Sequence, residues 1–319
     1  MLSRRRELQP RLLVDFSQFF GVETNPRKLS AGASLDGRVL MALLTSQEPL
    51  TEERGFPRSH TTKPSVIKVV QWKAGQFQSA EVGGETLVPH FVQPADDGFL
   101  LVGARCRWRP DGPEKNALLC SWEGAVRSRH TLGDGIEDAR VEGDRVWVSY
   151  FDEGVFGNYG WGLPNSLEPI GSSGLVAFDM AGRKTFEYDP MKAGTKPIAD
   201  AYALNVLSEE EVWVYHYTDF PIVRIAGGQY AVWKCGYGGA HGLAIADDMI
   251  LLVGAYGDLA HGRIMSLQPN GTTNLAKEVI VRTPQGQPMT EARASGIGPK
   301  LYLFHGARAY LLDDWSGSG

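Results

Sequence analysis

The stretch AHGLAIADDMILLVGAYG, residues 240–257, decides the fold. A polar residue and a few small or apolar ones lead into a turn, and a run of β-forming residues follows. The same order recurs at residues 29–44, 89–104, 136–151, 200–217 and 291–307. Each stretch predicts the first two strands of a sheet whose apolar face needs a neighbouring sheet to cover it. Six copies spaced by about 40 to 60 residues therefore predict an all-β fold, a six-bladed β-propeller.

The strands after each repeat complete the expected blades within one domain, residues 1–319. The blades are expected at about residues 27–85, 89–135, 136–190, 198–236, 239–288 and 290–316. The last range holds three strands, whereas a β-like run at residues 11–20 lies near the start of the sequence. We expect this N-terminal strand to complete the C-terminal blade and close the ring, because closure removes exposed sheet edges.

The composition limits the partners. A formal net charge of -5 argues against a nucleic-acid surface, which needs clustered Lys and Arg. The sequence has no apolar stretch that approaches the length of a membrane span, so we expect no membrane partner. Its three cysteines, Cys106, Cys120 and Cys235, are few and odd in number, which favours reduced thiols and a cytoplasmic protein.

The fifth repeat continues into GRIMSLQPNG at residues 262–271, and together they resemble a repeat of six-bladed propellers of the NHL and SMP-30/gluconolactonase-like superfamily. Residues 138–150 and 202–215 resemble it in the same way. Enzymes of the SMP-30 kind hold a divalent metal ion at the channel mouth, on ligands at the starts of inner strands. The resemblance implies the same here, with Ca²⁺, Zn²⁺ or Mn²⁺ on Glu137 or Asp138, Asp200 and His241, although the sequence itself requires no cofactor.

In a propeller the first strand of every blade starts at one face of the central channel, so the residues that begin these strands converge. Crowded titratable groups shift one another's pKa values, which suits them to acid–base catalysis. His90 and His241 are the candidate general base and acid, or imidazole ligands of a metal that Asp138 and Asp200 complete. Arg293 would bind an anionic group. The candidate catalytic residues are thus His90, Asp138, His241 and Arg293; alternatively, these side chains only line a wet channel.

The connection at residues 152–173 is long and rich in glycine and aromatic residues. Such a length indicates a lid, a binding loop or disorder, and the aromatic content favours a binding loop. A second long connection at residues 48–64 would lie over the same face. The candidate substrate-binding residues come from these loops and the strand starts, and they are Asp152, Tyr159, Trp161, Tyr202 and Tyr256.

Two functions of different class follow. The first is a cytosolic enzyme, a lyase, isomerase or lactone hydrolase, that binds a small polar or anionic metabolite at the top of the channel. The second is a non-catalytic scaffold that presents its top-face loops to a protein partner. The scaffold predicts an exposed apolar patch around Phe156, Tyr159 and Trp161. Fold alone does not choose between them.

Overall fold

The computed structural model describes residues 5–20, 25, 28–51 and 57–317. Strands make up 53% of the described residues and helices 5%, so the all-β prediction is confirmed. The helices of the described residues are four or five residues long, namely α1 (Ser17–Phe20), α2 (Asp152–Phe156) and α3 (Pro190–Ala193).

The strands of the first half are, in chain order, β1 (Arg6–Leu8), β2 (Arg11–Asp15), β3 (Leu29–Ala33), β4 (Val39–Leu44), β5 (His60–Lys73), β6 (Gln76–Leu87), β7 (Phe91–Ala95), β8 (Gly98–Val102), β9 (Ala117–Ser121), β10 (Val126–His130), β11 (Ile136–Glu142) and β12 (Arg145–Tyr150). Those of the second half are β13 (Leu175–Asp179), β14 (Lys184–Glu187), β15 (Asp200–Ser208), β16 (Glu211–Tyr217), β17 (Ile222–Ala226), β18 (Gln229–Trp233), β19 (Gly242–Ala246), β20 (Met249–Val253), β21 (His261–Leu267), β22 (Thr273–Val281), β23 (Arg293–Ile297), β24 (Lys300–His305) and β25 (Arg308–Leu312).

The chain divides into two compact units. The N-terminal unit consists of Phe16–Tyr188 and Ile198–Asp200, and it contains the antiparallel meanders β3–β6, β7–β10 and β11–β14. A single parallel bridge, Ala31 to Phe91, joins the first strands of the first two meanders. The meanders span residues 29–87, 91–130 and 136–187, where the sequence predicted 27–85, 89–135 and 136–190.

The C-terminal unit consists of Ala201–Gly319 with Met1–Asp15 and Asp189–Pro197. It contains the meanders β15–β18 and β19–β22, and a third in which β2 lies beside β25. The expected pairing of the N-terminal strand is present, with Arg11 opposite Leu311 and Leu12 opposite Tyr310. The short strand β1 adds a fifth, parallel strand to β22, a contact that the sequence did not predict.

Within each unit the first strands of neighbouring meanders approach closely. A Cβ atom on Gly32 of β3 would lie 1.9 Å from the carbonyl oxygen of Val92, and one on Gly296 of β23 would lie 1.8 Å from that of Leu243, so glycine is required at both positions. Asn205 of β15 is fully buried, and its amide donates to the carbonyl oxygens of Leu243 and Gly298 at 2.8 and 2.9 Å. Strands β15, from Ala201 onward, β19 and β23 are therefore adjacent in the C-terminal unit.

Candidate functional site

The C-terminal unit brings together three of the predicted residues. Tyr202 is the third residue of β15, His241 directly precedes β19, and Tyr256 follows β20. The hydroxyl groups of Tyr202 and Tyr256 are hydrogen-bonded at 2.7 Å. The ring of Tyr202 stacks on that of His241, with centroids 5.4 Å apart and planes inclined by 28°. We refer to Tyr202, His241 and Tyr256 as the Tyr–His cluster.

Aromatic rings behind the Tyr–His cluster hold it in place. Phe220 packs edge-on to Tyr202 at 5.3 Å and to Tyr256 at 6.0 Å, and it stacks on Tyr215 at 5.3 Å. Tyr215 is fully buried, and its hydroxyl donates to the carbonyl oxygen of Tyr237. Sequence reasoning missed Tyr215 and Phe220 as supports, although the aromatic content of residues 213–220 was a usable signal.

The His241 side chain is partly desolvated although the residue is exposed. Its side chain is exposed, and within the described part of the chain its ring nitrogens accept and donate no hydrogen bond. The atoms that crowd the ring desolvate it, and this lowers the pKa of His241 from its usual 6.5. The imidazole is therefore largely neutral at pH 7 and can accept a proton.

Arg293 is the first residue of β23 and is half-buried, opposite Phe304. The next residue, Ala294, packs against Gly242, which follows His241 in the chain. A Cβ atom placed on Gly242 would lie 2.9 Å from the Cβ atom of Ala294. The backbone thus places Arg293 on the strand next to the one that His241 precedes.

The N-terminal unit holds the other predicted residues, in four separate settings. His90 directly precedes β7, and its Nδ1 lies 3.0 Å from the carbonyl oxygen of Val88 and 3.1 Å from the amide nitrogen of Ala104. The ring of His90 is thereby fixed to the backbone of its own meander.

Asp138 of β11 is committed to a buried ion pair. Its Oδ2 accepts a hydrogen bond from Nη2 of Arg140 at 2.7 Å, and its Oδ1 accepts from the amide of Ala139 at 2.9 Å. The Arg140 side chain is 3% exposed. Both carboxylate oxygens of Asp138 thus accept hydrogen bonds from residues of β11 itself. Glu137, the neighbouring residue on β11, is half-buried.

Asp200 and Asp152 influence each other electrostatically. Asp200 is half-buried at the start of β15, and Asp152 is exposed at the start of α2. Burial, and to a lesser degree the negative charge of Asp152, raises the pKa of Asp200 to about 6. A carboxyl group with this pKa exchanges a proton near neutral pH.

The loop at residues 152–173 folds against the N-terminal unit. Trp161 is 2% exposed, and its Nε1 donates to the carbonyl oxygen of Cys106 at 2.7 Å. The hydroxyl of Tyr159 donates to the carbonyl oxygen of Pro57 at 2.6 Å, which connects this loop to the other long connection. In the geometry of the structure both side chains support the loop, and their predicted role in binding substrate stays a prediction.

Sequence reasoning missed the ion pair that fixes this loop. The guanidinium of Arg105 donates two hydrogen bonds to the carboxylate of Asp134, at 3.0 and 2.8 Å, and a third to Glu153 of α2 at 2.5 Å. Both Arg105 and Asp134 are buried, and the ring of Tyr159 covers the guanidinium at 4.2 Å. The sequence carries only a weak signal for this ion pair, because Arg105 and Asp134 lie in connections with no recognisable motif.

Metal-ligating side chains are dispersed in the described residues. Among residues 5–20, 25, 28–51 and 57–317, no group of three or more His, Cys, Asp and Glu side chains is arranged to hold a metal ion. The divalent cation expected on Glu137, Asp200 and His241 stays a prediction. The described helices include none that is long and apolar enough to cross a membrane.

Comparisons with known proteins concern the fold. A model of the YxzG family matches residues 175–311, which is less than half of the chain. No curated protein sequence shows significant similarity to the chain. A chain in the crystal structure of the mitotic checkpoint complex is similar with a TM-score of 0.50 and 9% identity, over 99% of this chain and 98% of that one.

Two further solved structures are more weakly similar. Streptogramin B lyase has a TM-score of 0.44 and 14% identity, over 90% of this chain and 94% of its own. The periplasmic gluconolactonase of Pseudomonas aeruginosa has a TM-score of 0.39 and 12% identity, over 82% and 86%. Such values indicate neither a ligand nor a reaction. The findings support a β-propeller fold, whereas the assignment to the NHL and SMP-30-like superfamily stays a prediction.

Proposed function

We propose that the protein binds a small polar or anionic metabolite at the starts of the first strands and transfers a proton to or from it. The hydrogen bond between Tyr202 and Tyr256, beside the stacked imidazole of His241, is the observation that carries this proposal. Three groups capable of proton transfer, brought together from three chain segments, are a common arrangement of catalytic sites.

Each side chain of the Tyr–His cluster has a role in the proposed proton transfer. A neutral His241 accepts a proton from the substrate, since its pKa lies below 6.5. In the tyrosine pair one hydroxyl donates to the other, and the acceptor retains its own proton for a substrate oxygen. Arg293, at the start of the neighbouring strand, binds an anionic group of the substrate. Lyase, isomerase and lactone-hydrolase reactions all use such a proton transfer.

Asp200, in the N-terminal unit, is a further proposed acid–base group. Burial and, to a lesser degree, Asp152 raise the pKa of Asp200 to about 6, so this carboxyl group donates or accepts a proton near neutral pH. His90, which directly precedes β7, and Asp138, which lies on β11, remain proposed catalytic residues. A divalent cation on Glu137, Asp200 and His241 is a separate proposal, which elemental analysis of the purified protein tests directly.

The number of blades, the closure of the ring and the cellular location are also proposals. Six four-stranded meanders in the described residues, and the pairing of β2 with β25, support a closed six-bladed propeller. The net charge and the three buried cysteines support a cytoplasmic location without nucleic-acid or membrane partners.

The test is a ligand and activity screen with matched variants. A panel of aldonolactones and hydroxycarboxylates would be assayed for binding by calorimetry and for turnover by NMR. His241→Ala should abolish turnover of an accepted compound, while His305→Ala, on β24, should retain it. Equal turnover by both variants would reject the assignment of His241.

A scaffold function is the second candidate, and one observation favours it. Phe156, Leu163 and Leu167 of the loop at residues 152–173 are exposed by 70%, 61% and 58%. Large apolar side chains exposed together on a fixed loop often mark a protein contact. Tyr159 and Trp161 do not belong to this patch, because both are buried. A binding partner whose affinity is lost in Phe156→Ser with Leu163→Ser, but kept in His241→Ala, would favour the scaffold.

A further inference from the structure

A cavity of about 810 Å³ lies in the C-terminal unit between the meanders β15–β18 and β19–β22. It is found at the opposite end of the strands from the Tyr–His cluster. Leu207, near the end of β15, and Asp247, just after β19, line it, and five residues of extended strand separate Leu207 from Tyr202 by about 17 Å. The cavity is therefore distinct from the site proposed above.

One wall of the cavity is aromatic and apolar. The indole rings of Trp213 and Trp233 stack with centroids 5.3 Å apart and planes inclined by 12°. Nε1 of Trp233 donates to the carbonyl oxygen of Gln268 at 3.0 Å, which fixes this indole across the cavity from its own meander. Ile245 and Leu267 add apolar surface from the other meander. Such a wall suits the flat or hydrocarbon part of a ligand.

The rim of the cavity carries an uncompensated negative charge. Glu211 and Arg224 neutralise each other through two hydrogen bonds of 2.8 and 3.1 Å. Asp247 and Asp248 are exposed on the turn between β19 and β20, and neither forms an ion pair within the described residues. These two carboxylates leave the rim with a surplus of negative charge.

A groove in the N-terminal unit carries a smaller surplus of negative charge, because three basic side chains line it together with four acidic ones. The turn between β7 and β8 has the same Ala-Asp-Asp sequence, at residues 95–97, and lines a groove of about 700 Å³. There Arg127 pairs with Asp97 at 2.5 and 2.9 Å, and Lys73 pairs with Asp36 at 2.9 Å. Trp122 is the single apolar residue that lines it. The cavity of the C-terminal unit differs from this groove in its stacked pair of indole rings and in its larger surplus of negative charge.

We propose that this cavity binds an organic cation with an apolar body, of the arylalkylammonium class. The ammonium group would lie between the carboxylates of Asp247 and Asp248, and the apolar body would pack on Trp233 and Leu267. Charge complementarity selects a cation, and the apolar wall selects against a bare metal ion, which gains nothing from indole and leucine surface.

Calorimetric titration with 2-phenylethylammonium chloride tests the ligand class, with 2-phenylethanol and 3-phenylpropanoate as neutral and anionic analogues of similar shape. We expect saturable binding of the ammonium ion, binding of the alcohol weaker by about tenfold, and none of the carboxylate. Binding of the ammonium ion should weaken as salt is added. No saturable binding at millimolar ammonium ion, or equal binding of the anionic analogue, would overturn the proposal.

Matched variants locate the binding. Asp247→Asn with Asp248→Asn should weaken binding of the ammonium ion by about tenfold. Asp96→Asn is the control, because Asp96 occupies the same turn of the other groove, and both Asp96 and Asp247 have positive φ, which Asn tolerates. Ala231→Leu fills the cavity without a change of charge and should abolish binding while the circular dichroism spectrum is retained. Unchanged affinity in either cavity variant would contradict the proposal.

Discussion

The hydroxyl groups of Tyr202 and Tyr256 lie 2.7 Å apart, although 54 residues separate them in the sequence. The contact depends on two neighbouring meanders, because Tyr202 lies on β15 whereas Tyr256 follows β20. A propeller-type arrangement explains how such distant residues meet, since the first strands of adjacent sheets run side by side.

Removal of one hydroxyl tests the importance of this hydrogen bond. Tyr256→Phe should lower turnover by about 10- to 100-fold, because the pair loses a proton donor. Tyr256 is 66% exposed, so the free energy of unfolding should fall by less than about 1 kcal/mol. Turnover assays and urea unfolding measure the two effects. Tyr217→Phe is the control variant, since Tyr217 also contacts Phe220 and is 45% exposed. Equal losses of turnover in the two variants would argue against a role of the hydrogen bond in turnover.

The pKa of His241 can be measured by NMR titration of its ring protons. Desolvation disfavours the charged imidazolium, so the midpoint should lie below 6.5. Tyr202→Ala removes the stacked ring and admits water, and the midpoint should then rise toward 6.5. A midpoint above 6.5 in the unmodified protein would contradict the role of His241 as a base at neutral pH.

Asp200 should make stability depend on pH in a predictable direction. Its folded pKa of about 6 exceeds the usual 3.8, so its stabilising contribution is complete below pH 3.8 and is lost as the pH rises through 6. Asp200→Asn avoids the buried charge and should raise the free energy of unfolding by about 1 to 2 kcal/mol at pH 8 but not near pH 3.8. Urea unfolding at both pH values measures the difference, and an equal change at both would be inconsistent with this pKa.

The ion pair of Arg105 with Asp134 should matter for stability. Arg105→Lys cannot reproduce the double hydrogen bond and leaves a buried carboxylate poorly compensated, so we expect a loss of about 3 kcal/mol. Arg127→Lys, in the exposed pair with Asp97, should cost less than about 1 kcal/mol. Thermal and urea unfolding compare the two variants. Similar losses would indicate that the loop at residues 152–173 does not depend on Arg105.

The sequence predicted the strands and strand starts because both follow local rules. Alternation and turn residues located the meanders, and these placed His241 and Tyr202 at the beginnings of adjacent strands. The burial of Trp161 and the support of Tyr202 were not predicted, for the same physical reason. The burial of Trp161 depends on the carbonyl oxygen of Cys106, and the support of Tyr202 depends on Phe220, and neither contact has a local pattern in the sequence. Arg105 was missed because its partner is 29 residues away in an irregular connection.

A crystal structure with the tightest-binding compound from the lactone and hydroxycarboxylate panel tests the proposed site most directly. We expect a polar atom of the ligand within hydrogen-bonding distance of a ring nitrogen of His241, and another beside the hydroxyl of Tyr202 or Tyr256. A ligand bound elsewhere, with the Tyr–His cluster contacted by solvent alone, would contradict it.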